Sequence, residues 1–317
     1  MAVAATGFFD GVHLGHRAVI ETLLKTARER SEQSLILTFW PHPRTVLRGG
    51  SRDLRLLTSL DEKIAILKGL GVDRVEVLPF TRDFAALTAR EYLEMLRRDY
   101  GVTSIVLGYD NRFGSDGLST EQIAKLAESV APRQNVSLRS TPPFTSFTVP
   151  PLMVPRVAQF SWGATPSADN ESAFISSTKI RKSLSVGDVK AAAQMLGYEY
   201  SLSGVVVSGN MMGRTIGFPT ANMKLREPLK CLPGVGAYLT KVEVEGRRLW
   251  GMTNIDHNEK IETNIFDFDE EIYGLDLKVT FVDKLRDEIH FNSFEELKAQ
   301  LEKDRASAVL SLASKMP

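Results

Sequence analysis

Short apolar runs alternate with amphipathic stretches through the first half of the chain. Strands are indicated at residues 3–6 (VAAT), 34–39 (SLILTF), 72–80 (VDRVEVLPF) and 104–108 (SIVLG). The stretch 59–71 predicts a helix that begins with a capping box of Ser59 and Glu62, and a second helix over 88–101 follows Thr88 as its N-cap. Strands separated by helices of this length predict parallel βαβ units in a doubly wound sheet.

The pattern changes twice in the second half. Residues 132–172 are rich in Pro, Ser and Thr and predict a loop, whereas 177–197 returns to a helical pattern that is broken near Gly187. Beyond residue 200, β-rich runs separated by turns predict a small antiparallel barrel, closed by one helix that begins at Ser293. We therefore expect an α/β domain over 1–186 and a barrel domain over 187–317.

Composition narrows the possible partners and compartments. The 317 residues contain 39 Lys and Arg and 39 Asp and Glu. This balance does not indicate an extended basic surface that binds nucleic acid. The single cysteine, Cys231, excludes an internal disulfide framework and a thiolate metal cluster. No apolar run approaches a membrane span, and the N-terminus lacks a signal-peptide pattern. We expect a cytoplasmic protein, monomeric or weakly self-associating, that binds neither membranes nor nucleic acid.

The stretch GFFDGVHLGH (7–16) directly follows the first predicted strand. Gly7 and Gly11 would let the backbone turn sharply and approach a ligand. His13 and His16 would then meet the N-terminus of the next helix, where unpaired N–H groups and the helix dipole favour phosphate. Imidazoles there can donate hydrogen bonds to phosphate oxygens as charge builds in a transition state. The alternative is that both histidines only cap and pack.

Three further segments are candidate parts of a site in the first half, and the last of them favours anion binding. FWPHPR (39–44) follows the second strand and GYDNRFG (108–114) follows the fourth, so both fall at the sheet edge where ligands bind. FWPHPR is equally well explained as a proline-rich turn. ISSTKIR (175–181) places three hydroxyls before a helix that carries two cations, although such hydroxyls are often simple helix caps.

The second half carries a glycine-rich motif, GNMMGRTIGFPTAN (209–222). Its glycines would let backbone N–H groups approach phosphates, but the motif lacks the ending of a P-loop. Thr220 and Asn222 supply oxygen ligands suited to Mg²⁺. The alternative is a glycine-rich hairpin.

Phosphoryl transfer to an alcohol benefits from a base on a strand facing that motif. The run KIETNIFDFD (260–269) offers Glu262, Asp267 and Asp269, and alternation places Glu262 on the face opposite the two aspartates.

These four motifs, GFFDGVHLGH, PHPR, ISSTKIR and GRTIGFPTAN, occur in the same order in bacterial bifunctional riboflavin kinase/FAD synthetases, which the chain resembles from Ala4 to Arg305. The resemblance implies that riboflavin is phosphorylated to FMN in the second half and that FMN is adenylylated to FAD in the first, with ATP as co-substrate and Mg²⁺ as cofactor. It selects Glu262 as the catalytic glutamate.

The resemblance also implies binding roles for residues in both halves. In the first half, the nucleotide-binding positions are Gly7, Phe9, Asp10, Gly11, His13, His16, Ser177, Thr178 and Arg181, with Asp110 near the nucleotide and flavin pocket. In the second half, ATP would contact Gly209, Gly213, Arg214, Gly217, Pro219, Thr220 and Asn222, and riboflavin would contact Asn254, Glu262 and Phe291.

Several positions depart from the family pattern. Trp40 replaces an acid, Phe8 replaces an asparagine, Asn111 replaces an aromatic residue, and the loop after Asn254 is short. One alternative is therefore a riboflavin kinase with an impaired first half. A second is a flavin- or nucleotide-binding protein without turnover, and a third is a related transferase acting on pantetheine or a cytidylyl group. The intact second motif argues against the third, because such enzymes need no barrel.

Overall fold

The computed structural model describes residues 1–47, 54–108, 114–119, 122–123, 125–127, 175–209 and 212–313. The chain divides into two compact units. One unit comprises Met1–Leu54 and Thr58–Ile175, and the other comprises Arg55–Leu57 and Ser176–Pro317. Our boundary after residue 186 concerns the functional domains and stays a prediction. In the described part of the chain no helix has the length and apolar character needed to cross a bilayer.

The first unit is built on a parallel sheet. Its strands are β1 (Ala2–Thr6), β2 (Gln33–Trp40), β3 (Arg74–Pro79) and β4 (Val102–Val106). They are ordered β3-β2-β1-β4, and every neighbouring pair is parallel. The helices are α1 (Leu14–Arg30), α2 (Pro43–Leu47), α3 (Leu60–Gly69), α4 (Arg82–Ala86) and α5 (Ala89–Tyr100).

Apolar side chains cover both faces of this sheet. On β1, Ala2 and Ala4 join the cluster that includes Tyr92 of α5, whereas Val3 joins the opposite cluster with Ile20 of α1. Alternate residues of one strand therefore pack against helices on opposite sides, as two-faced burial requires. This arrangement confirms the predicted doubly wound sheet.

The second unit is a closed barrel with flanking helices. Two helices, α6 (Ser177–Ser185) and α7 (Val189–Leu196), precede the barrel and are separated at Gly187 as predicted. The barrel strands are β5 (Ser201–Val207), β6 (Ala221–Leu225), β7 (Gly236–Val244), β8 (Arg247–Ile255), β9 (Ile261–Ile265) and β10 (Asp276–Arg286). They close in the order β10-β5-β6-β9-β8-β7, with antiparallel pairing throughout. The predicted antiparallel barrel is confirmed.

Two further helices complete the second unit. A single turn, α8 (Met212–Thr215), lies in the glycine-rich motif, and α9 (Phe294–Ala313) closes the chain. Ser293 caps α9 as predicted, because its hydroxyl accepts from the backbone N–H of Glu296 at 3.2 Å. Ala308 of α9 packs in a cluster with Phe218, Met252 and Phe266, so the helix covers one side of the barrel.

Candidate active sites

The first candidate site is the turn after β1, which contains three residues with positive φ. Phe9 (φ 52°) and Val12 (φ 37°) lie on either side of Gly11 (φ 79°). Side chains other than glycine avoid this region, so the turn is held by its surroundings. Asp10 is buried and accepts from the backbone N–H of Thr58 at 3.2 Å, while the Thr58 hydroxyl accepts from the N–H of Gly11 at 3.1 Å. The structure thus directs Asp10 toward Thr58, and this pair braces the turn.

Two histidines stand at the N-terminus of α1. His13 is the N-cap, and its Nδ1 accepts from the backbone N–H of His16 at 3.3 Å. The imidazoles are stacked, with ring centroids 3.7 Å apart and planes 15° from parallel. A Cβ at Gly15 would lie only 3.1 Å from the His13 ring, so glycine leaves room for that ring. His13, with Nδ1 accepting, carries its proton on Nε2 as a hydrogen-bond donor.

His16 remains neutral in this environment. Burial lowers the pKa of His16 well below 6.5, and the neighbouring His13 and the cation of Lys63 lower it further. Its ring is half-buried, yet its Nδ1 is fully buried and has no hydrogen-bond partner among the described residues. A buried polar atom without a partner is costly and calls for a ligand or another explanation. A neutral imidazole can meet a phosphate as a hydrogen-bond donor without the cost of a buried charge.

Lys63 of α3 is a component of this site that the sequence analysis missed. Its side chain is buried, and its Nζ donates to the carbonyl of Phe8 at 2.9 Å. The hydroxyl of Thr38 donates to the same carbonyl at 3.2 Å. Burial lowers the pKa of Lys63 to about 8, against an opposing effect of Asp10. The sequence did hold a signal, because Lys63 falls on the apolar stripe of α3 together with Leu60 and Leu67.

Among the other predicted residues of the first half, Ser177, Thr178 and Arg181 belong to the second unit, and Asp110 lies outside the described residues. Ser176 is the N-cap of α6, where its hydroxyl accepts from the N–H of Lys179 at 3.3 Å. Ser177 and Thr178 form the first turn of α6, and Arg181 donates from Nε to the carbonyl of Arg55. These residues belong to the second unit and the two histidines to the first. A shared triphosphate contact therefore stays a prediction. Asp110, Asn111 and the segment 132–172 lie outside the described residues.

The second candidate site is a row of side chains across three strands of the barrel. Asn222 of β6 pairs with Glu262 of β9, and Glu262 pairs with Asn254 of β8. Residues directly opposite on neighbouring strands share a face and have Cβ atoms about 5 Å apart. The register thus places the predicted glutamate between two predicted amides.

The glycine-rich motif lies against this row. A Cβ at Gly209 would lie 2.2 Å from Nδ2 of Asn222. A Cβ at Gly213 would lie 2.2 Å from the carbonyl oxygen of Phe218 and 3.3 Å from the hydroxyl oxygen of Thr220. Any larger residue at either position would push the motif away from the strand. The two glycines are therefore required by close approach of the backbone.

Asn222 has the properties of an unsatisfied cation ligand. Its side chain is buried, and its Oδ1 has no hydrogen-bond partner among the described residues. The described residues contain no group of three or more His, Cys, Asp or Glu that could hold a metal ion. A cation at Asn222 and Thr220 would take its remaining ligands from phosphate oxygens and water, which is how Mg²⁺ commonly binds nucleotides. The residues present fit that ion.

Two contributors to this row were missed in the sequence. Lys260 forms an ion pair with Glu262, with Nζ and Oε1 2.5 Å apart and both side chains partly exposed. Asn264 is buried, and its Nδ2 donates to the carbonyl of Pro219 at 2.8 Å, which fixes the motif above β9. Lys260 and Asn264 lie two residues before and two residues after Glu262. Because alternate residues of a strand share a face, the sequence could have identified both as neighbours of Glu262.

Three remaining predicted residues lie around this site. Arg214 is exposed in α8, and Gly217 has a φ of 82° in the turn that follows. Phe291 is half-buried, and its ring centroid lies 5.9 Å from the guanidinium carbon of Arg286. Their contacts with substrate stay predictions.

Comparison with known proteins matches both halves of the chain. The family model described as FAD synthetase matches residues 1–146, and the model described as riboflavin kinase matches residues 196–312. A bifunctional riboflavin kinase/FMN adenylyltransferase from Listeria monocytogenes is 35% identical over 95% of this chain and 90% of its own. The protein of that name from Bacillus subtilis is 33% identical over 97% and 92%.

A solved structure supports the fold. A crystal structure described as a macrolide-efflux protein from Streptococcus pneumoniae matches with a TM-score of 0.78 and 30% identity, covering 97% of this chain and 93% of that one. The resemblance inferred from the four motifs is confirmed by the family models and the curated relatives. The chain belongs to the bifunctional riboflavin kinase/FMN adenylyltransferase family.

Proposed function

We propose that the chain makes FAD from riboflavin in two steps, each at one of the candidate sites. The barrel transfers the γ-phosphoryl group of ATP to riboflavin, and the α/β half transfers AMP from ATP to FMN. One observation carries this assignment. Two buried side-chain atoms lack a partner in the described residues, His16 Nδ1 and Asn222 Oδ1, and each belongs to the phosphate-binding motif of its own half.

In the kinase step, Glu262 acts as the general base. Its carboxylate accepts the proton of the primary hydroxyl of riboflavin while that oxygen attacks the γ-phosphorus. The bond from the γ-phosphorus to its bridging oxygen breaks, and ADP leaves. Lys260 holds the carboxylate beforehand, so the substrate hydroxyl must replace the ammonium as its partner. Asn254, directly opposite on β8, is placed to orient the incoming flavin.

The nucleotide of this step is held by the glycine-rich motif. Gly209 lies in close contact with Asn222 of β6, and Gly213 lies in close contact with the Phe218 carbonyl. Backbone N–H groups near these two glycines bind the phosphates, because glycine has no side chain to cover them. Asn222 Oδ1 and the Thr220 hydroxyl would hold Mg²⁺, which would neutralise charge on the phosphoryl group. Asn264 keeps the motif in register by binding the Pro219 carbonyl.

In the adenylyl step, no protein nucleophile is needed. A phosphate oxygen of FMN attacks the α-phosphorus of ATP, and the bond to the bridging oxygen of pyrophosphate breaks. The attacking oxygen is already anionic, so catalysis rests on positioning and charge stabilisation. His13 and His16 donate hydrogen bonds to phosphate oxygens at the N-terminus of α1. The family resemblance implies that Ser177, Thr178 and Arg181 bind the triphosphate and that Asp110 acts at the nucleotide and flavin pocket.

We further propose a cytoplasmic, monomeric or weakly self-associating enzyme whose partners are riboflavin, FMN and ATP. A single buried cysteine suits a reducing compartment. The equal numbers of basic and acidic residues give no broad cationic surface for nucleic acid.

Product chromatography with riboflavin, ATP and Mg²⁺ tests this proposal. We expect FMN and then FAD from the intact chain. If FMN is the only product, the first half does not catalyse adenylyl transfer. That result would support the alternative of a riboflavin kinase with an impaired first half, which Trp40 and Asn111 suggested. No product, with flavin still bound, would leave a binding protein. Glu262→Gln should lower the rate of FMN formation by about 10³-fold. Asp269→Asn, at an exposed carboxylate just beyond β9, is the matched control and should leave the rate unchanged.

A further inference from the structure

A buried lysine lies behind the phosphate-binding turn of the first half. Lys63 is 1% exposed, and its Nζ donates to the Phe8 carbonyl and lies 3.9 Å from the centroid of the Phe8 ring. The Trp40 ring lies 6.0 Å away. Lysine is almost never fully buried without an ionic partner, because the ammonium loses its hydration. Its presence here needs a reason beyond packing.

No carboxylate compensates for this charge directly. Within the described part of the chain no Asp or Glu oxygen lies within 4.0 Å of Lys63 Nζ. Asp10 has an electrostatic effect on Lys63, and its carboxylate accepts from the backbone N–H of Thr58. An ammonium has three donors, and only the one to Phe8 is used by a described residue. The site therefore carries a positive charge that an anion would stabilise.

The position of this charge connects it with the histidine pair. Phe8 lies at the start of the turn that delivers His13 and His16, and its ring contacts His42 with centroids 4.2 Å apart. The charge of Lys63 also acts on His16, whose pKa it helps to lower. The titratable groups that interact with Lys63 are Asp10 in the turn and His16 on α1. His13 stacks on His16, and His42 contacts the Phe8 ring.

We propose that Lys63 is a positioning residue for adenylyl transfer: its ammonium fixes the Phe8 carbonyl and supplies the fixed positive charge behind the site that binds the triphosphate of ATP. Holding Phe8 sets the turn from which both imidazoles approach the phosphates. The charge favours the nucleotide anion and the pyrophosphate that leaves, and it keeps His16 in the neutral form that donates without being charged. This inference rests on the proposed adenylyl transfer at the turn.

The test compares Lys63→Met and Lys63→Arg with Lys68→Met, an exposed lysine on the same helix. Adenylyl transfer is measured from FMN and ATP, and riboflavin phosphorylation by the same preparation reports an intact second half. We expect Lys63→Met to lower kcat/KM for adenylyl transfer by about 30-fold. Lys63→Arg should stay within about threefold of wild type because it keeps the charge, and Lys68→Met should be unchanged.

The pH profile separates a positioning role from mere stabilisation of the fold. Without the cation of Lys63, His16 protonates more easily, so the acidic limb of the adenylyl transfer profile should move to higher pH in Lys63→Met. In wild type, KM for ATP should rise above pH 8 as Lys63 loses its proton, and Lys63→Arg should remove that rise.

The outcomes distinguish this inference from the proposed function. If wild type makes no FAD, adenylyl transfer itself is wrong. If wild type makes FAD and Lys63→Met equals Lys68→Met, only the role of Lys63 is overturned. If Lys63→Met fails to fold, the wild-type profile decides, because a KM for ATP that stays flat across pH 8 also overturns the inference.

Discussion

The candidate phosphate sites in the two halves of this chain are built in different ways. In the α/β half, a turn with three positive φ values brings two stacked imidazoles to a helix N-terminus. In the barrel, straight strands in register align Asn222, Glu262 and Asn254 in one row. The first construction depends on residues outside the motif that hold the turn, and the second depends on strand pairing. Remote substitutions should therefore harm adenylyl transfer more than riboflavin phosphorylation.

The charged residues at the two candidate sites also differ in how deeply they are buried. The α/β half buries a cation at Lys63 beneath the turn, with the Phe8 carbonyl as its partner. The barrel keeps its ion pair of Lys260 and Glu262 partly exposed at the strand surface. A buried charge acts over a longer distance because solvent screens it less. This difference predicts that pH affects the two activities unequally.

The largest expected effect is on the kinase step. Glu262→Gln removes the base that accepts the hydroxyl proton and should lower kcat for riboflavin phosphorylation by about 10³-fold. Adenylyl transfer from supplied FMN should stay within twofold of wild type, since Glu262 belongs to the second unit and the two histidines belong to the first. Both rates are read by chromatography of flavin products. Loss of both activities together would contradict the division into two independent sites.

The second effect is on adenylyl transfer. His16→Ala removes one donor to the phosphates and should lower kcat for FAD formation by about 10²-fold. Riboflavin phosphorylation should be unchanged, so the variant should accumulate FMN in the coupled assay. An equal rate of FAD formation in the variant and wild type would show that His16 only packs at the helix end.

The third effect tests whether remote residues matter more in the first half. Thr58→Val removes the acceptor of the Gly11 N–H and should slow adenylyl transfer by about tenfold through displacement of the turn. Thr240→Val in the barrel is the matched control, because Thr240 is buried and its hydroxyl donates to the Gly251 carbonyl. Its effect on the kinase rate should stay below threefold. Equal losses in the two halves would remove the proposed contrast.

The smallest effect concerns stability and pH. The pKa of Lys63 is about 8 in the folded chain, below its ordinary value of 10.5. Between these values the unfolded chain binds more protons, so the free energy of unfolding rises with pH by about 1 kcal/mol per pH unit. Urea unfolding of wild type and Lys63→Met from pH 7 to 10 gives the difference in their free energies of unfolding at each pH. The titration of all other groups cancels in this difference. A difference independent of pH would show that burial does not lower the pKa of Lys63 in the folded chain.

Local signals in the sequence predicted most of the fold. The capping box of Ser59 and Glu62 forms, and Thr88 caps α5 in a second box with Glu91. These features depend on residues three apart, which the sequence displays directly. The short helices α2 and α4 were not predicted, and FWPHPR, for which a proline-rich turn was one of two explanations, continues into α2. Strand β6 was also missed, because the glycine-rich motif runs straight into it.

The candidate sites were predictable only where a motif carries them. Glu262 and Asn222 were identified from motif and alternation, and the strand register places them side by side. The role of Lys63 was hidden because the burial of a lysine depends on the elements packed around it. Asp10 was expected at the phosphates, and its contacts with Thr58, 48 residues away, could not be read from local spacing.

The second unit also contains three residues from the first half of the sequence. Leu56 forms a parallel bridge with Lys230, and the buried Nζ of Lys230 donates to the carbonyl of Leu57 at 2.8 Å. A cut anywhere between residues 58 and 175 would therefore leave these three residues of the second unit on the other fragment. No single cut in that range keeps the whole second unit on one fragment, although substitutions should separate the two activities.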